Sequence, residues 1–212
     1  MLQPRVLLAD DHRLLLEAFH KLLEPTVTIV GTVADGHALL EAANRLRPDI
    51  IVLDIGMPLL NGFEAGRQIK KKIPEVRLIF LTVNEDPDFV TEAFRAGASA
   101  YLLKKSIGRE LFHAIQQVMN GHTYVTPLLE NQMAESFIRG PKGKKTSEKL
   151  TPRQREVLQL LAEGHSMKQA ADILNVTQRT IAFHKYRMME ELRLKTNADL
   201  IHFAIKEHLV SE

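Results

Sequence analysis

Cysteine is absent from the 212-residue chain. That removes disulfides, thiolate-bound metals and a cysteine nucleophile, and it suits a reducing compartment. Long apolar runs are missing as well. The longest strictly apolar stretches, such as Ile50–Leu53 and Leu78–Leu81, hold four residues, against the ~18 that a membrane helix needs. Near the N-terminus the apolar stretch Val6–Ala9 meets Asp10 and Asp11, too soon for the core of a secretion signal. An excess of charge of one sign is nearly lacking, with 28 Lys+Arg against 26 Asp+Glu and a net charge of +2. A soluble cytoplasmic protein, with no membrane partner, is therefore expected. The 45% hydrophobic and 25% charged residues exclude disorder and collagen-like repeats, and the length suits one large domain or two modest ones.

The first ~120 residues alternate two patterns. Val6–Ala9, Val27–Val33, Ile50–Leu53, Leu78–Thr82 and Ala100–Leu103 are short runs rich in Val, Ile and Leu that predict buried strands. Helical stretches lie between them: His12–Leu23, Leu39–Arg47, Phe63–Lys71, Phe89–Ala96 and Ile107–Asn120. Strands apolar on both faces and separated by helices imply βα units around a parallel sheet. Five units make a small doubly wound domain over 1–120, whose ligand site belongs at the carboxyl ends of the strands.

The rhythm stops near Gly121. One short helix is expected over Leu128–Ile138, and Arg139–Lys149 is dense in Gly, Pro and Lys without apolar periodicity, so 121–148 is assigned as an exposed linker. From 149 to 212 no strand is signalled. Thr151 with Pro152 opens a helix over Arg153–Glu163, and Gly164 stops it. Ser166 can cap Met167–Leu174, Thr177 can cap Gln178–Arg193, and Asn197 can cap Ala198–Glu207. This predicts four short helices, the middle pair separated by the brief turn that a helix-turn-helix requires.

The predicted strand ends collect the chemistry. Asp10 and Asp11 follow the first strand, Asp54 the third, Thr82 ends the fourth and Lys104 follows the fifth. A parallel sheet brings all of them to one edge. Two unit charges ~4 Å apart interact by roughly 4 kcal/mol at an effective dielectric of ~20, so three carboxylates there require cations. Lys104 offsets one charge and a hard divalent ion can offset two more. Oxygen ligands without Cys or clustered His favour Mg²⁺, which keeps several waters and suits phosphoryl chemistry.

Here the motifs carry a resemblance. LLADDH at Leu7–His12, VLDIGMPLLNGFE at Val52–Glu64, IFLTV at Ile79–Val83 and AGASAYLLKKS at Ala96–Ser106 resemble the receiver domain of two-component response regulators, a flavodoxin-like fold. The resemblance implies that Asp54 is the phosphoacceptor, attacking the phosphoryl group of a sensor histidine kinase's phosphohistidine. It implies that Asp11 and Asp54 bind Mg²⁺ directly, Asp10 through water and Gly56 by its backbone carbonyl, while Lys104 holds a phosphoryl oxygen. Thr82 and Tyr101 are the implied switch pair: the Thr82 hydroxyl moves toward the new phosphoryl group and Tyr101 turns into the space it leaves. Ala100 stands where relatives often carry Gly.

Residues from about 149 to 209 resemble the LuxR-type helix-turn-helix of the NarL/FixJ response regulators, through LTPRQREVL at Leu150–Leu158, AEGHS at Ala162–Ser166 and T-I-x-x-H at Thr180–His184. The resemblance makes Ser166–Leu174 the scaffold helix and Gln178–Arg193 the recognition helix, entering the major groove by its N-terminal half. On a 3.6-residue helix Ile181, Met188, Leu192 and part of His184 face inward. Arg179, Ala182, Phe183, Lys185 and Tyr186 are then left for DNA, with Thr177, Gln178 and Arg187 beside them. Arg179 and Lys185 suit phosphates or guanine edges, and Phe183 suits a thymine methyl. Many relatives carry Lys at Ala182 and a small or β-branched residue at Phe183. Asn197–Glu207 resembles the helix that pairs two subunits on a two-fold operator.

The function implied is a transcription regulator, phosphorylated by a sensor histidine kinase, that binds promoter DNA as a homodimer and addresses RNA polymerase. An enzyme of the aspartyl-phosphate hydrolase class would carry a second Asp two positions after its nucleophile, and Asp54 is followed by Ile55 and Gly56. No catalysis beyond the receiver's own phosphoryl transfer and slow dephosphorylation is therefore expected. A receiver-linked adaptor, whose helical tail binds protein in place of DNA, is the remaining alternative.

Overall fold

The computed structural model describes residues 3–24, 26–130, 150–207 and 209–210. The chain divides into two compact units, 1–141 and 142–212. In the first, strands β1 (Arg5–Ala9), β2 (Thr28–Val33), β3 (Ile50–Asp54), β4 (Arg77–Thr82), β5 (Ala98–Leu103) and β6 (Tyr124–Val125) form one parallel sheet in the order β2-β1-β3-β4-β5-β6. The helices between them are α1 (Arg13–Leu23), α2 (Gly36–Leu46), α3 (Gly62–Lys72), α4 (Pro87–Arg95) and α5 (Ile107–Met119).

Strand side chains alternate between two cores. Leu7, Ala9, Ile51, Leu53, Leu78, Phe80, Tyr101 and Leu103 pack under α2, α3 and α4. Val6, Leu8, Ile50, Val52, Ile79, Leu81, Ala100 and Leu102 pack under α1 and α5. A strand buried on both faces cannot show polar alternation, so the continuous apolar runs of the sequence are the signature of this double-sided burial. The strand order reverses between β1 and β3, and in open α/β sheets the carboxyl end of such a switch point is where ligands bind.

One expectation for this unit changes. The sheet has six strands, not five: β6 pairs with β5 (Ala100 opposite Tyr124, Tyr101 opposite Val125), so the first unit runs past the 120/121 boundary and β5 is not the sheet edge. Two residues are too few to register as a strand by alternation. The helix expected over Leu128–Ile138 begins by 127, and its residues 131–138, with the rest of the linker to 148, lie outside the described residues.

The second unit holds α6 (Pro152–Ala162), α7 (Met167–Ile173), α8 (Gln178–Glu191) and α9 (Asn197–Lys206). Thr151, Ser166 and Thr177 cap the first three as expected, each accepting a hydrogen bond from the backbone N–H three residues on. The fourth differs. Thr196, not Asn197, is the cap: its hydroxyl accepts from the Asp199 amide while the Asp199 carboxylate accepts from the Thr196 amide, a reciprocal pair that Asn197 cannot form. Val157, Leu158, Leu160, Ala170, Ala171, Ile181, Met188, Leu200 and Ala204 are buried in this unit. No helix among the described residues is long and apolar enough to cross a membrane.

Candidate functional site

β1 ends by delivering Asp10 and Asp11 to the switch point, and β3 ends on Asp54 itself. Asp10 and Asp54 are buried, whereas Asp11 is partly open to solvent. Lys104, the first residue after β5, reaches between the two buried acids. Its Nζ lies 2.7 Å from Asp10 Oδ2 and 3.1 Å from Asp54 Oδ1. Burial pushes the Asp54 carboxyl above the usual carboxylate range; Lys104 opposes this, Asp10 adds to it, and the Gly56 amide, donating to the carboxylate, works with Lys104. Burial alone would lower the Lys104 ammonium, but Asp54 and Asp10 outweigh it and hold the lysine protonated above its ordinary value.

One oxygen each from Asp10, Asp11 and Asp54 and one nitrogen from His12 lie within 4.8 Å of one another. His12 Nδ1 stands 3.0 Å from Asp10 Oδ1 and 2.8 Å from Asp11 Oδ1, and the His12 amide also donates to Asp10 Oδ1 at 2.9 Å. His12 joins the acidic residues without a motif of its own to mark it. Its position directly after the acidic pair was the available signal, but the loop path that folds the ring back is not encoded in any periodicity. Three carboxylates at this spacing form a hard-oxygen donor set that fits a divalent cation.

The loop after Asp54 combines one close backbone approach with one left-handed residue. A Cβ at Gly62 would lie 2.3 Å from the Asp54 carbonyl oxygen, so only glycine lets α3 start this close to the strand end. Leu59 adopts φ +66°, a left-handed conformation that costs a branched side chain energy and is retained where the surroundings dictate it.

Thr82 is buried at the end of β4, and its Oγ1 accepts from the Asn84 amide at 3.0 Å. The pattern then repeats: Asn84 Oδ1 accepts from the Asp86 amide (2.7 Å) and Asp86 Oδ1 from the Asp88 amide (2.9 Å). The loop from Thr82 to the first turn of α4 is thus a relay of side-chain-to-backbone bonds two residues apart. Tyr101 is completely buried, so the ring already occupies the interior position that the switch resemblance reserves for one of its states. Burial pushes its phenol far up, with the Thr82 side chain beside it working the other way.

In the helical unit α7 and α8 are joined by a tight turn with Asn175 at φ +52°. Arg153 fixes this turn from α6: one guanidinium nitrogen donates to the Leu174 carbonyl (2.9 Å) and another to Glu156 (2.7 Å). The cap Thr177 and, on α8, Gln178, Arg179, Phe183, Tyr186 and Arg187 are exposed, and Ala182 is half-buried. Lys185, expected outward, is only 8% exposed, and its Nζ lies 5.5 Å over the Tyr186 ring. Arg187 is held by Glu191 at 2.9 Å. His184 is half-buried, and burial, then the charges of Arg153 and Arg187, lower its imidazole below the ordinary value.

Comparison with known proteins covers both units. Residues 6–116 match the response regulator receiver domain, and residues 148–204 match the bacterial regulatory proteins of the luxR family. The oxygen regulatory protein NreC of Staphylococcus carnosus is 28% identical over 214 residues, covering 97% of this chain and 99% of its own. The transcriptional regulatory protein MctR of Rhizobium johnstonii is 30% identical over 211 residues, with 98% and 96% covered. Among solved structures, the RcsB response regulator of Salmonella typhimurium superposes over the whole of both chains with a TM-score of 0.64 at 25% identity. The complex of RcsB with DNA matches with a TM-score of 0.59 at 25% identity, over 95% of this chain and 97% of that one.

Proposed function

The chain belongs to the two-component response regulators that join a receiver domain to a LuxR-type DNA-binding domain, and from that premise we propose that Asp54 takes a phosphoryl group from a sensor histidine kinase and so controls binding to promoter DNA. The observation that carries this is the Asp54 carboxylate itself: buried at the sheet's switch point, 3.1 Å from Lys104 and within 4.8 Å of donor atoms on Asp10 and Asp11.

The Asp54 carboxylate oxygen forms a bond to phosphorus as the bond from phosphorus to the kinase imidazole nitrogen breaks, and the imidazole regains its proton. Lys104 stands where it can hold a phosphoryl oxygen. Asp10, Asp11, Asp54 and the Gly56 carbonyl would hold Mg²⁺, which when bound neutralises charge on the carboxylates and the phosphoryl oxygens. Gly56, two positions after Asp54, offers no side chain as general acid, which supports a phosphoaspartate that decays slowly and a protein that is not an enzyme toward other substrates.

Phosphorylation adds about 1.5–2 negative charges and strong acceptor oxygens. The Thr82 hydroxyl turns to donate to one of them, which withdraws the acceptor that the Asn84 amide uses and breaks the relay into α4 at its first link. The buried Tyr101 and the α4–β5–α5 face then carry the change to the rest of the chain. The output is a dimer on two half-sites of cytoplasmic promoter DNA, placing the protein beside RNA polymerase.

The test is treatment of the full chain with acetyl phosphate and Mg²⁺ followed by mass spectrometry. Wild type gains one phosphoryl mass and Asp54→Asn does not; a variant that still gains it refutes the assignment.

A further inference from the structure

The recognition helix carries an apolar reading face in place of a cationic one. Arg179, Ala182, Phe183 and Tyr186 fall at i, i+3, i+4 and i+7 and so share one stripe of α8, while Ile181, Lys185 and Met188 on the other side are buried. Two aromatic rings stand out on that stripe, Phe183 at 57% and Tyr186 at 60% exposure. Apart from Arg179, the cations of α8 make their contacts within the helix itself. Lys185 is 8% exposed with its ammonium over the Tyr186 ring, and Arg187 is paired with Glu191. Ala182 is too short to reach a phosphate.

We propose that α8 reads its operator chiefly through the 5-methyl groups of thymine, with Ala182 and Phe183 packing on them and the Tyr186 ring closing the same apolar strip, while Arg179 supplies the polar contact at the N-terminal turn. In the major groove the thymine methyl is the one apolar feature that distinguishes a base pair, and Ala and Phe are side chains that contact it. The proposal rests on the DNA-binding reading above and specifies what that site recognises.

The experiment has two stages. Full-length protein, with Mg²⁺ and beryllofluoride, selects bound sequences from random duplexes; the selected duplex is then resynthesised with deoxyuridine replacing thymidine one position at a time, which deletes only the methyl. The expected loss is about fourfold per contacted methyl, from ~0.8 kcal/mol per buried carbon group at 1.4 kcal/mol per tenfold. Phe183→Ala should bring the thymidine-to-deoxyuridine ratio at one position per half-site to unity. Lys185→Met should leave the salt slope unchanged, whereas Arg179→Ala should flatten it. Undiminished binding to the fully deoxyuridine-substituted duplex overturns methyl reading and leaves DNA binding standing. Failure to enrich any duplex, the outcome if this face seats a protein partner, overturns the DNA-binding reading and this proposal with it.

Discussion

Lys104 lies closer to Asp10 than to Asp54, the proposed phosphoacceptor, 2.7 Å against 3.1 Å. In this arrangement the lysine is the counter-ion of both buried acids, and a cation entering the pocket competes with it for Asp10. Removing one partner of a buried pair costs ~3–5 kcal/mol because the remaining charge is left without compensation. Lys104→Met is therefore expected to destabilise the receiver unit by about that amount in EDTA, less whatever proton uptake by Asp54 recovers. Mg²⁺ should narrow the deficit by replacing the lost charge. Denaturant titrations of wild type and variant with and without Mg²⁺ decide it; equal stability in EDTA would show that Lys104 is not the counter-ion.

Two glycines separate backbone need from accident. At Gly62 an added methyl meets the Asp54 carbonyl oxygen at 2.3 Å and the Ile55 Cα at 2.9 Å, both backbone atoms. At Gly108, in the first turn of α5, it meets nothing within 4 Å. Gly62→Ala should cost at least the ~1–3 kcal/mol of an overpacked site and slow phosphorylation by displacing Asp54. Gly108→Ala should be neutral or stabilise by up to ~1 kcal/mol through helix propensity. Thermal unfolding and phosphorylation rates of the pair test this, and similar behaviour of the two variants would refute it.

The receiver pocket was legible because topology does the work. Once five apolar runs are strands of a parallel sheet, Asp10, Asp54, Thr82 and Lys104 must meet at one rim whatever the details of packing. Features that depend on loop path were not legible. His12 folds back onto Asp10 and Asp11 through a single turn, and β6 is two residues long. Lys185 is a different case. It sits four residues after Ile181 and three before Met188, so periodicity places it on the inward stripe. Its charge argued for the outside, and the packing of a four-carbon stem, with the ammonium carried over the Tyr186 ring, prevails. At the start of α9 Thr196 and Asn197 are both good caps, and only the reciprocal bond with Asp199 separates them.

Thr126 ties β6 to the strand that carries Tyr101. Its amide donates to the Tyr101 carbonyl (3.0 Å), and its buried hydroxyl accepts from the Leu103 amide (3.2 Å) and donates to Glu110 (2.7 Å). Thr126→Val keeps the shape but leaves the Leu103 N–H without its acceptor, at a cost of ~1–3 kcal/mol. Amide exchange of Leu103 should accelerate in the variant, while that of Leu7 and Val52 in the sheet centre stays as in wild type. Unchanged protection at Leu103 would mean that the hydroxyl is not its working acceptor.

His184 makes the helical unit sensitive to acid, and the sign follows from its surroundings. Burial first, then Arg153 and Arg187, lower its folded value below the 6.5 of an unperturbed imidazole. The unfolded chain therefore takes up a proton at a pH where the folded one does not. The stabilisation from a neutral His184 is fully present above 6.5 and is lost as the pH falls through the folded value. Imidazole Hε1 resonances of the full chain should place the His184 midpoint below 6.5. Arg153→Met, which removes one of the two charges and the anchor on the Leu174 carbonyl, should move that midpoint upward. His184→Gln should make unfolding of this unit less dependent on pH between 5 and 7 than in wild type. A midpoint at or above 6.5, unmoved by Arg153→Met, would show that these guanidinium groups do not act on the imidazole.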